Sequence, residues 1–569
     1  MQVGRLLRTV RYLRVKQAAY YVYRRALQRT ARRINPPSKI DRRSGVSLRP
    51  RPTPCAPDTG DFGFVFLDTP RTFDRDAVDW RCADVSKLWR YNLHYFDYLL
   101  DETRSRDARD HLIDDWIEKN PPGTADAWEP YTVSLRIVNW IDYFLRTEDA
   151  RLPKDPWLSS LYGQAMWLER NIEYHILANH SLKNAVALTF AGVFFAGRQA
   201  DRWLDQGIRI LAEEVREQIL TDGGHFERSP LYHAIVAQDL VDVVNILSRS
   251  KLEVRPAGLE LFEDKARAAL EFLEEILHPD GEIPLFNDAA TGIALRPSAL
   301  QAYARDVLPT MPVHRGENEA LILKPETGYY GYRSDGDFLL IDCGPVGPDY
   351  QPGHAHCDTL SFELSVHGRR VIVDSGVSGY ENDDLRAYVR STAAHNTLKI
   401  NGIEQCEMWG AFRVGRRARP LSARLERRDD GSIAFAGAHD GYRHLRQRVI
   451  HNRQILCRPG SDVPGSDVPE SHVYEVADRL TGNGRVHAES FLHIHPDLNV
   501  ERVDSRFRVT EPGGQPIMDI VPDESSACEM EDGVYCPRFG VGQGNVVLVF
   551  RKQAVLPFTI SFSLIKIQT

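Results

Sequence analysis

The sequence lacks long apolar runs, paired cysteines and a strong net charge. No run of about 18 apolar residues occurs, so no membrane-spanning helix is predicted. The eight cysteines of the 569-residue chain include no Cys-x-x-Cys pair, which in a chain of this size indicates ordinary thiols rather than a disulfide framework. A net charge of −8 argues against a nucleic-acid-binding protein. With 42% hydrophobic and 26% charged residues, disorder and coiled coil are excluded for the chain as a whole.

The charge is unevenly distributed. Residues 1–43 contain 13 Lys or Arg residues and one acidic residue, Asp41, which gives this segment a charge of +12. We interpret residues 1–45 as a basic helical arm, either solvated and packed on the body or in peripheral contact with a membrane or polyanion. No apolar segment typical of a signal peptide follows the charges. A cytoplasmic or membrane-peripheral location is therefore expected, with export as the alternative.

The hydrophobic pattern changes near residue 315. Before it, apolar residues recur at helical spacing, as at Leu135, Val138 and Ile141, and further helical stretches cover about 180–197, 203–219, 233–248 and 259–277. After residue 320 the chain has short alternating β-branched runs, including 338–342, 370–374 and 546–550. The prediction is an α+β multidomain chain: an N-terminal all-α domain at 46–315, either an (α/α) toroid or a solenoid, and a C-terminal antiparallel β-sandwich at 316–569.

A His-x-His pair is the densest polar cluster of the C-terminal region. His354 and His356 precede a strand-like run, and alternation along a strand would place both rings on one face. Asp374 and His395 follow in turn-flanked positions. Two histidines and a carboxylate are ordinary zinc ligands, so we expect one divalent metal here, with zinc favoured over calcium or manganese. A hydrogen-bonded polar network without metal is the alternative.

Two further polar clusters lie in the helical region. Asp222–His233 concentrates His, Glu, Arg and Tyr side chains, and its Ser229-Pro230 pair predicts a helix start with Tyr232 in the first turn. Ala178–Asn184 contains an Asn-His pair before an apolar helix, where Asn179 could serve only as an N-cap. The aromatic segments at 89–98 and 128–131 would suit sugar rings.

These clusters together resemble the heparinase II/III-like polysaccharide lyases. The matching segments occur in the family's order: 89–99, 128–140, 178–184, 222–233, 286–288, 353–362, 373–376 and 395–397. The resemblance implies an α/α toroid followed by an antiparallel sandwich. It also implies cleavage of a uronic-acid polysaccharide by β-elimination, in which the C5 proton is removed and the leaving oxygen is protonated.

The resemblance assigns roles residue by residue. Asn179 corresponds to the residue that binds the uronate carboxylate, Tyr232 to the proton donor, and His354 to the base or charge stabiliser. His356, Asp374 and His395 correspond to zinc ligands. The candidates for substrate binding are Arg136, His180, His225, Arg228 and Arg390, with Arg386 as a further arginine.

Three functions remain open after the sequence. The favoured one is a lyase for a bacterial surface or exported polysaccharide, and a uronyl C5-epimerase would share its first step. The third is a non-catalytic glycan-binding protein of exopolysaccharide biosynthesis. A glycosidase is less favoured, because the matching positions supply no evident carboxylate pair. The expected partner is an anionic polysaccharide and not a nucleic acid, and an oligomer remains open.

Overall fold

The helices of the chain lie mainly before residue 308. The computed structural model describes residues 2–27, 34–53, 59–147, 152–253, 257–308, 319–334, 336–461 and 471–567. Its α-helices are α1 Gln2–Val10, α2 Val15–Leu27, α3 Lys87–Tyr95, α4 Arg106–Lys119, α5 Pro130–Thr147, α6 Asp155–Arg170, α7 Asn179–Phe194, α8 Arg198–Gln218, α9 Pro230–Arg249, α10 Leu259–Ile276, α11 Pro297–Val307 and α12 Asp384–Val389.

The strands lie mainly after residue 319. They are β1 Gly63–Phe66, β2 Thr69–Thr72, β3 Glu319–Lys324, β4 Tyr329–Ser334, β5 Asp337–Asp342, β6 Phe362–Val366, β7 Arg369–Ile372, β8 Leu398–Ile400, β9 Met408–Trp409, β10 Arg413–Val414, β11 Pro420–Arg427, β12 Ile433–His439, β13 Ile450–Ser461, β14 Ser471–Thr481, β15 Arg485–His493, β16 Asn499–Val503, β17 Arg506–Thr510, β18 Pro516–Pro522, β19 Ala527–Tyr535, β20 Gln543–Val555 and β21 Phe558–Lys566.

Helix α7 is the central helix of the toroid. It contacts α5, α8 and α9, and all of its residues except His180 are buried. Its apolar sequence fits this position, because a helix surrounded by other helices needs no polar face. Gly192 permits the close approach of α8, since a Cβ there would lie 2.4 Å from the backbone nitrogen of Leu204. The predicted helical stretches from 180 to 277 are confirmed, whereas the β1–β2 hairpin was not predicted.

The C-terminal region is a stack of antiparallel sheets. A five-stranded sheet has the order β3-β4-β5-β6-β7, an eight-stranded sheet β11-β12-β13-β14-β21-β18-β17-β16, and a four-stranded sheet β19-β20-β15-β8. Apolar side chains from all three sheets share one core, as alternating strands require. The predicted sandwich is confirmed, and the runs at 338–342, 370–374 and 546–550 coincide with β5, β7 and β20.

Both polar and apolar side chains line the junction between the two regions. Val377, Val389 and Phe539 of the C-terminal region join the toroid core. The predicted domain limits at 45 and 315 stay predictions, and the second falls within residues 309–318, which lie outside the described part of the chain. No helix in that described part has both the length and the hydrophobicity needed to cross a membrane.

Candidate functional site

Tyr232 lies in the first turn of α9, as the sequence predicts. Ser229 is the N-cap, and its hydroxyl oxygen accepts from the Tyr232 backbone N–H at 3.3 Å. Pro230 occupies the first turn, where its missing N–H costs no hydrogen bond. The Tyr232 hydroxyl lies 3.0 Å from the hydroxyl of Tyr380, so the two phenols form a hydrogen bond at the junction of the two regions.

Asn179 begins α7 but does not cap it. The preceding residues Leu177 and Ala178 have φ values of +67° and +55°, a left-handed backbone that non-glycine residues seldom adopt and that is often found at functional sites. The Asn179 side chain donates from Nδ2 to Glu227 Oε1 at 2.8 Å. Its Oδ1 is buried without a hydrogen-bond partner. The alternative that Asn179 serves only as an N-cap is therefore wrong.

Glu227 links the segments that carry Asn179 and His354. It accepts from the backbone and the side chain of Asn179 through Oε1, and its Oε2 lies 3.4 Å from Nε2 of His354. Glu227 is 2% exposed, and the next residue, Arg228, has a φ of +58°. This buried carboxylate therefore joins the toroid residue Asn179 to the sandwich residue His354.

His354 and His356 converge on Asp288. His354 donates from Nδ1 to Oδ2 at 3.0 Å, and His356 donates from Nε2 to Oδ1 at 2.8 Å. Arg386 contacts both oxygens of the same carboxylate, a bidentate ion pair that fixes its orientation. The histidines lie in the loop before β6. The prediction that they precede a strand is confirmed; strand alternation does not orient them in this loop, but both rings turn to one partner.

The electrostatics of the site favour a protonated phenol and an ionised carboxylate. Burial raises the pKa of Tyr232 well above its usual 10, and the neighbouring Tyr380 adds to the rise. Burial alone would raise the pKa of Asp288, but Arg386 and the two histidines hold it well below its usual 3.8. At neutral pH, Tyr232 is therefore protonated, and Asp288 is a fixed negative charge behind His354.

The predicted metal ligands lie together beneath this site. The rings of His356 and His395 are 5.3 Å apart between centroids, and both side chains are fully buried. His395 Nδ1 donates to Asp374 Oδ2 at 2.8 Å. His356 Nδ1 and His395 Nε2 have no hydrogen-bond partner. Within the described residues, no group of three or more His, Cys, Asp or Glu is arranged so that it could hold a metal ion.

His180 is the candidate for substrate binding that remains open to a ligand. Its side chain is 28% exposed and lies 3.2 Å from Glu173, and its ring packs against Tyr131 at 4.7 Å between centroids. Burial would lower the pKa of His180, but the Glu173 carboxylate raises it above 6.5. The Glu173 carboxylate therefore favours the cationic form of His180, which lies beside the Tyr131 ring.

The other four candidates for substrate binding have structural partners. Arg136 is fully buried, where it donates to Gln164 and to the His94 carbonyl. Arg390 is 1% exposed and donates to the carbonyls of Ala355 and Gly410. Burial inside the protein contradicts a direct substrate contact for both arginines.

His225 and Arg228 also support the fold. His225 is 1% exposed and its Nε2 lies 3.0 Å from Gln218, so its expected substrate contact is likewise contradicted. The guanidinium of Arg228 donates to the carbonyls of Phe226, Glu326 and Thr327. Arg228 therefore ties the toroid to the first strands of the sandwich, and each of its three guanidinium nitrogens donates to a backbone carbonyl.

Sequence reasoning missed Glu227, Asp288 and Tyr380 as residues of the site and gave Arg386 another role. Glu227 and Asp288 lie inside matching segments, and a buried polar cluster needs counter-charges. The sequence therefore offered a signal by which these two carboxylates could have been found. Arg386 was named only as a candidate for substrate binding, whereas it neutralises Asp288. Tyr380 had no signal, because its partner Tyr232 lies 148 residues away.

Comparison with known families covers most of the chain. The model described as "Heparinase II/III N-terminus" matches residues 62–311, and the model described as "Heparinase II/III-like, C-terminal" matches residues 317–561. The two matches meet where the helices end and the strands begin.

Several curated proteins are similar in sequence. The chain is 28% identical to the heparin-sulfate lyases of Pedobacter heparinus and Bacteroides thetaiotaomicron over 57% of its length, and it spans about half of each lyase (52% and 53%). It is 27% identical to the "FtsZ-localized protein C" of Caulobacter vibrioides, over 71% of this chain and 70% of that protein.

Solved structures share the fold. Heparinase III superposes with a TM-score of 0.65 at 19% identity, over 86% of this chain and 79% of that chain. A chondroitin AC lyase of Streptomyces coelicolor A3 gives a TM-score of 0.50 at 10% identity, over 84% of this chain and 75% of that one. At these identities the likeness concerns the toroid and the sandwich alone.

Proposed function

The chain belongs to the heparinase II/III family, and we propose that it is a polysaccharide lyase that cleaves a uronic-acid-containing polysaccharide by β-elimination. The observation that carries this proposal is the meeting of Asn179, Tyr232 and His354 at the junction of toroid and sandwich. The heparin-sulfate lyases among its relatives support an anionic polysaccharide as substrate.

Asn179 would bind the uronate carboxylate. Glu227 holds its Nδ2 and so fixes the orientation of the amide, which leaves a second amide hydrogen to donate to the substrate. A hydrogen bond to the carboxylate makes the C5 proton more acidic, because it stabilises the charge that develops on the carboxylate when the proton leaves. The buried position of Asn179 excludes competing water and strengthens this effect.

Tyr232 and His354 would move the protons. The raised pKa of Tyr232 suits it to protonate the leaving O4, and His354, whose ring stacks on Tyr232 with 3.8 Å between centroids, would accept the C5 proton. The C5–H electrons then form the C4–C5 double bond as the C4–O4 bond breaks. Asp288 holds the His354 ring in place through Nδ1, in the way a catalytic histidine is commonly oriented.

We also propose a divalent metal, with zinc favoured. Two of the three proposed ligands suit a zinc ion. His356 Nδ1 and His395 Nε2 are buried without hydrogen-bond partners, and imidazole nitrogens are ordinary zinc ligands. Asp374 could join them if its carboxylate exchanged the His395 hydrogen bond for the metal. When bound, the metal would supply positive charge beneath the substrate site.

Two alternatives are separated by one experiment. A C5-epimerase would return the proton to the opposite face of C5, and a non-catalytic glycan-binding protein would do neither step. The stacked Tyr232–His354 pair favours the two enzymes, because binding alone needs no proton donor and base. Incubation with uronic-acid polysaccharides in deuterium oxide distinguishes them: unsaturated product marks a lyase, deuterium at C5 without cleavage an epimerase, and neither a binding protein.

The basic arm is the basis for a proposed location. Residues 2–27 contain seven Lys or Arg residues and no acidic residue, a composition that attracts anionic membrane surfaces. We propose a membrane-peripheral location for the protein, with a polysaccharide of the bacterial surface or of export as its substrate.

A further inference from the structure

Exposed apolar side chains are concentrated in the arm. Of the fifteen large hydrophobic residues that are exposed in the described part of the chain, nine lie between residues 3 and 23. Soluble surfaces carry such residues singly, and a contiguous group marks an interaction site. The arm therefore carries an interaction surface that the proposed lyase reaction does not use.

Helix α1 is amphipathic, and its apolar face turns outward. Val3, Leu6, Leu7 and Val10 follow the i, i+3, i+4, i+7 spacing of a single helix face, and Val3 and Leu7 are 73% and 65% exposed. A helix packed on a globular body normally buries such a stripe. In α1 the polar face is the one that contacts the body.

The contacts of α1 explain this orientation. Arg5 and Arg8, on the face opposite the stripe, both pair with Glu407 of the sandwich. Thr9, next to them, accepts from the indole N–H of Trp409 at 3.1 Å. The arginines that look in the sequence like cations for a membrane are thus partly used to dock the helix, which leaves the apolar stripe in contact with solvent.

Helix α2 repeats the arrangement. Val15 and Val22, which are 87% and 67% exposed, share one face with Ala18 and Ala19, and the buried Gln17 lies on the other. Gln17 donates to the carbonyls of Ile176 and Tyr350, so it joins the toroid to the loop before His354. Both helices therefore dock through polar faces and present apolar faces away from the body.

We infer that the outward face of α1 and α2, defined by Val3, Leu6, Leu7, Val10, Leu13, Val15 and Val22, inserts into the interface of an anionic bilayer, with the helices in the membrane plane. The positive charge around this face favours an anionic lipid surface over a second copy of the chain as its partner. Arg11 and Arg25 are exposed beside the stripe, residues 2–27 contain no acidic residue, and a second copy of this face would oppose cation to cation. Amphipathic helices with cations beside an apolar face bind membranes in this way.

This inference rests on the proposed membrane-peripheral location and names the surface through which the chain would bind the membrane. The test is co-sedimentation of the full chain with vesicles of phosphatidylcholine alone and of phosphatidylcholine mixed with phosphatidylglycerol. Binding is expected only to the mixed vesicles. The variant L6S/L7S should bind them about tenfold more weakly or worse. A matched control, L323S/L421S, removes two leucines of similar exposure from the sandwich and should bind like the unmodified chain.

The outcomes separate this surface from the location and from the lyase chemistry. If removal of residues 1–27 abolishes vesicle binding but L6S/L7S does not, the location stands and the apolar surface is overturned. Absence of binding to either vesicle overturns both. If L6S/L7S instead converts an oligomer into a monomer in gel filtration without vesicle binding, the face joins two copies of the chain. Turnover of a soluble polysaccharide, measured in parallel, should be the same in L6S/L7S.

Discussion

Tyr232 and His354 stack with their ring centroids 3.8 Å apart, although one residue belongs to helix α9 of the toroid and the other to a loop of the sandwich. Tyr232 is held within the toroid by the Ser229 cap, whereas His354 is held across the junction by Asp288 of the toroid region. The proposed proton donor and base therefore meet only where the two regions pack together. Anything that shifts the junction should affect catalysis before it affects either core.

Glu227 should be needed for turnover although it need not touch the substrate. In Glu227→Gln, Asn179 loses a charged hydrogen-bond acceptor and His354 loses a carboxylate 3.4 Å away. We expect kcat to fall by about 10²-fold, with a smaller change in KM and a shifted pH profile. The matched control is Glu214→Gln, a buried toroid carboxylate that contacts Gln218 and should leave kcat unchanged. An unaltered pH profile in Glu227→Gln would remove Glu227 from the positioning of the site.

Asp288 should be essential for stability as well as for geometry. In Asp288→Asn, the buried Arg386 loses its counter-ion, and removal of one partner of a buried pair costs about 3–5 kcal/mol. Urea unfolding would measure this loss. The control Asp280→Asn, whose pair with Arg370 is partly exposed, should cost only about 0–1 kcal/mol.

The same pair gives a direction for the effect of pH on stability. The pKa of folded Asp288 lies well below 3.8, the usual value that it regains on unfolding. The ionised carboxylate of Asp288 therefore adds its full share to the free energy of unfolding above about pH 4, and this share is lost as the pH falls below that value. The free energy of unfolding that Asp288→Asn loses should be smaller at about pH 3 than at about pH 7. Equal losses at the two pH values would contradict the assignment.

Substrate affinity should weaken as the pH rises through the pKa of His180. Glu173 raises the pKa of His180 above 6.5, so His180 is cationic below that raised pKa and attracts an anionic glycan, and it loses this charge as the pH rises through it. KM should therefore rise with pH in the unmodified chain and be flatter in His180→Gln. The control His487→Gln, on the exposed end of β15, should keep the original profile; an identical profile in His180→Gln would exclude the contact.

The proposed metal can be tested without an activity assay. Elemental analysis of the purified chain should give about one divalent ion per chain, and His395→Ala and His356→Ala should both reduce this amount strongly. His487→Ala serves as the control, because that side chain is 41% exposed, whereas His356 and His395 are fully buried. A metal content that neither substitution changes would leave His356 and His395 as members of a hydrogen-bonded network only.

Local patterns predicted much of this molecule, and long-range pairing explains what they missed. Helical spacing located α7 to α10, and Ser229-Pro230 located the start of α9, because these signals act within a few residues. Arg136 and Arg390 looked like substrate contacts because a sequence does not show which arginines are buried. The Asp288–Arg386 pair and the Tyr232–Tyr380 contact join segments about 100 and 148 residues apart, and no local pattern encodes such a pair.

Resemblance contributed the roles, and the structure contributed their partners. The order of the matching segments was enough to name Asn179, Tyr232 and His354. It did not reveal that Glu227 joins Asn179 to His354, because that contact depends on left-handed backbone at Leu177, Ala178 and Arg228. The arm shows the same limit: its charge was evident in the sequence, but the direction of its apolar face was not.

The most direct test of the proposed lyase is the ultraviolet absorbance of unsaturated uronate during incubation with a panel of uronic-acid polysaccharides. The unmodified chain should raise the absorbance with at least one of them, and Tyr232→Phe, which keeps the ring stacked on His354 but cannot donate a proton, should be slower by about 10²–10⁴-fold. Equal rates for the two proteins, or no absorbance change with any polysaccharide, would contradict β-elimination by this site.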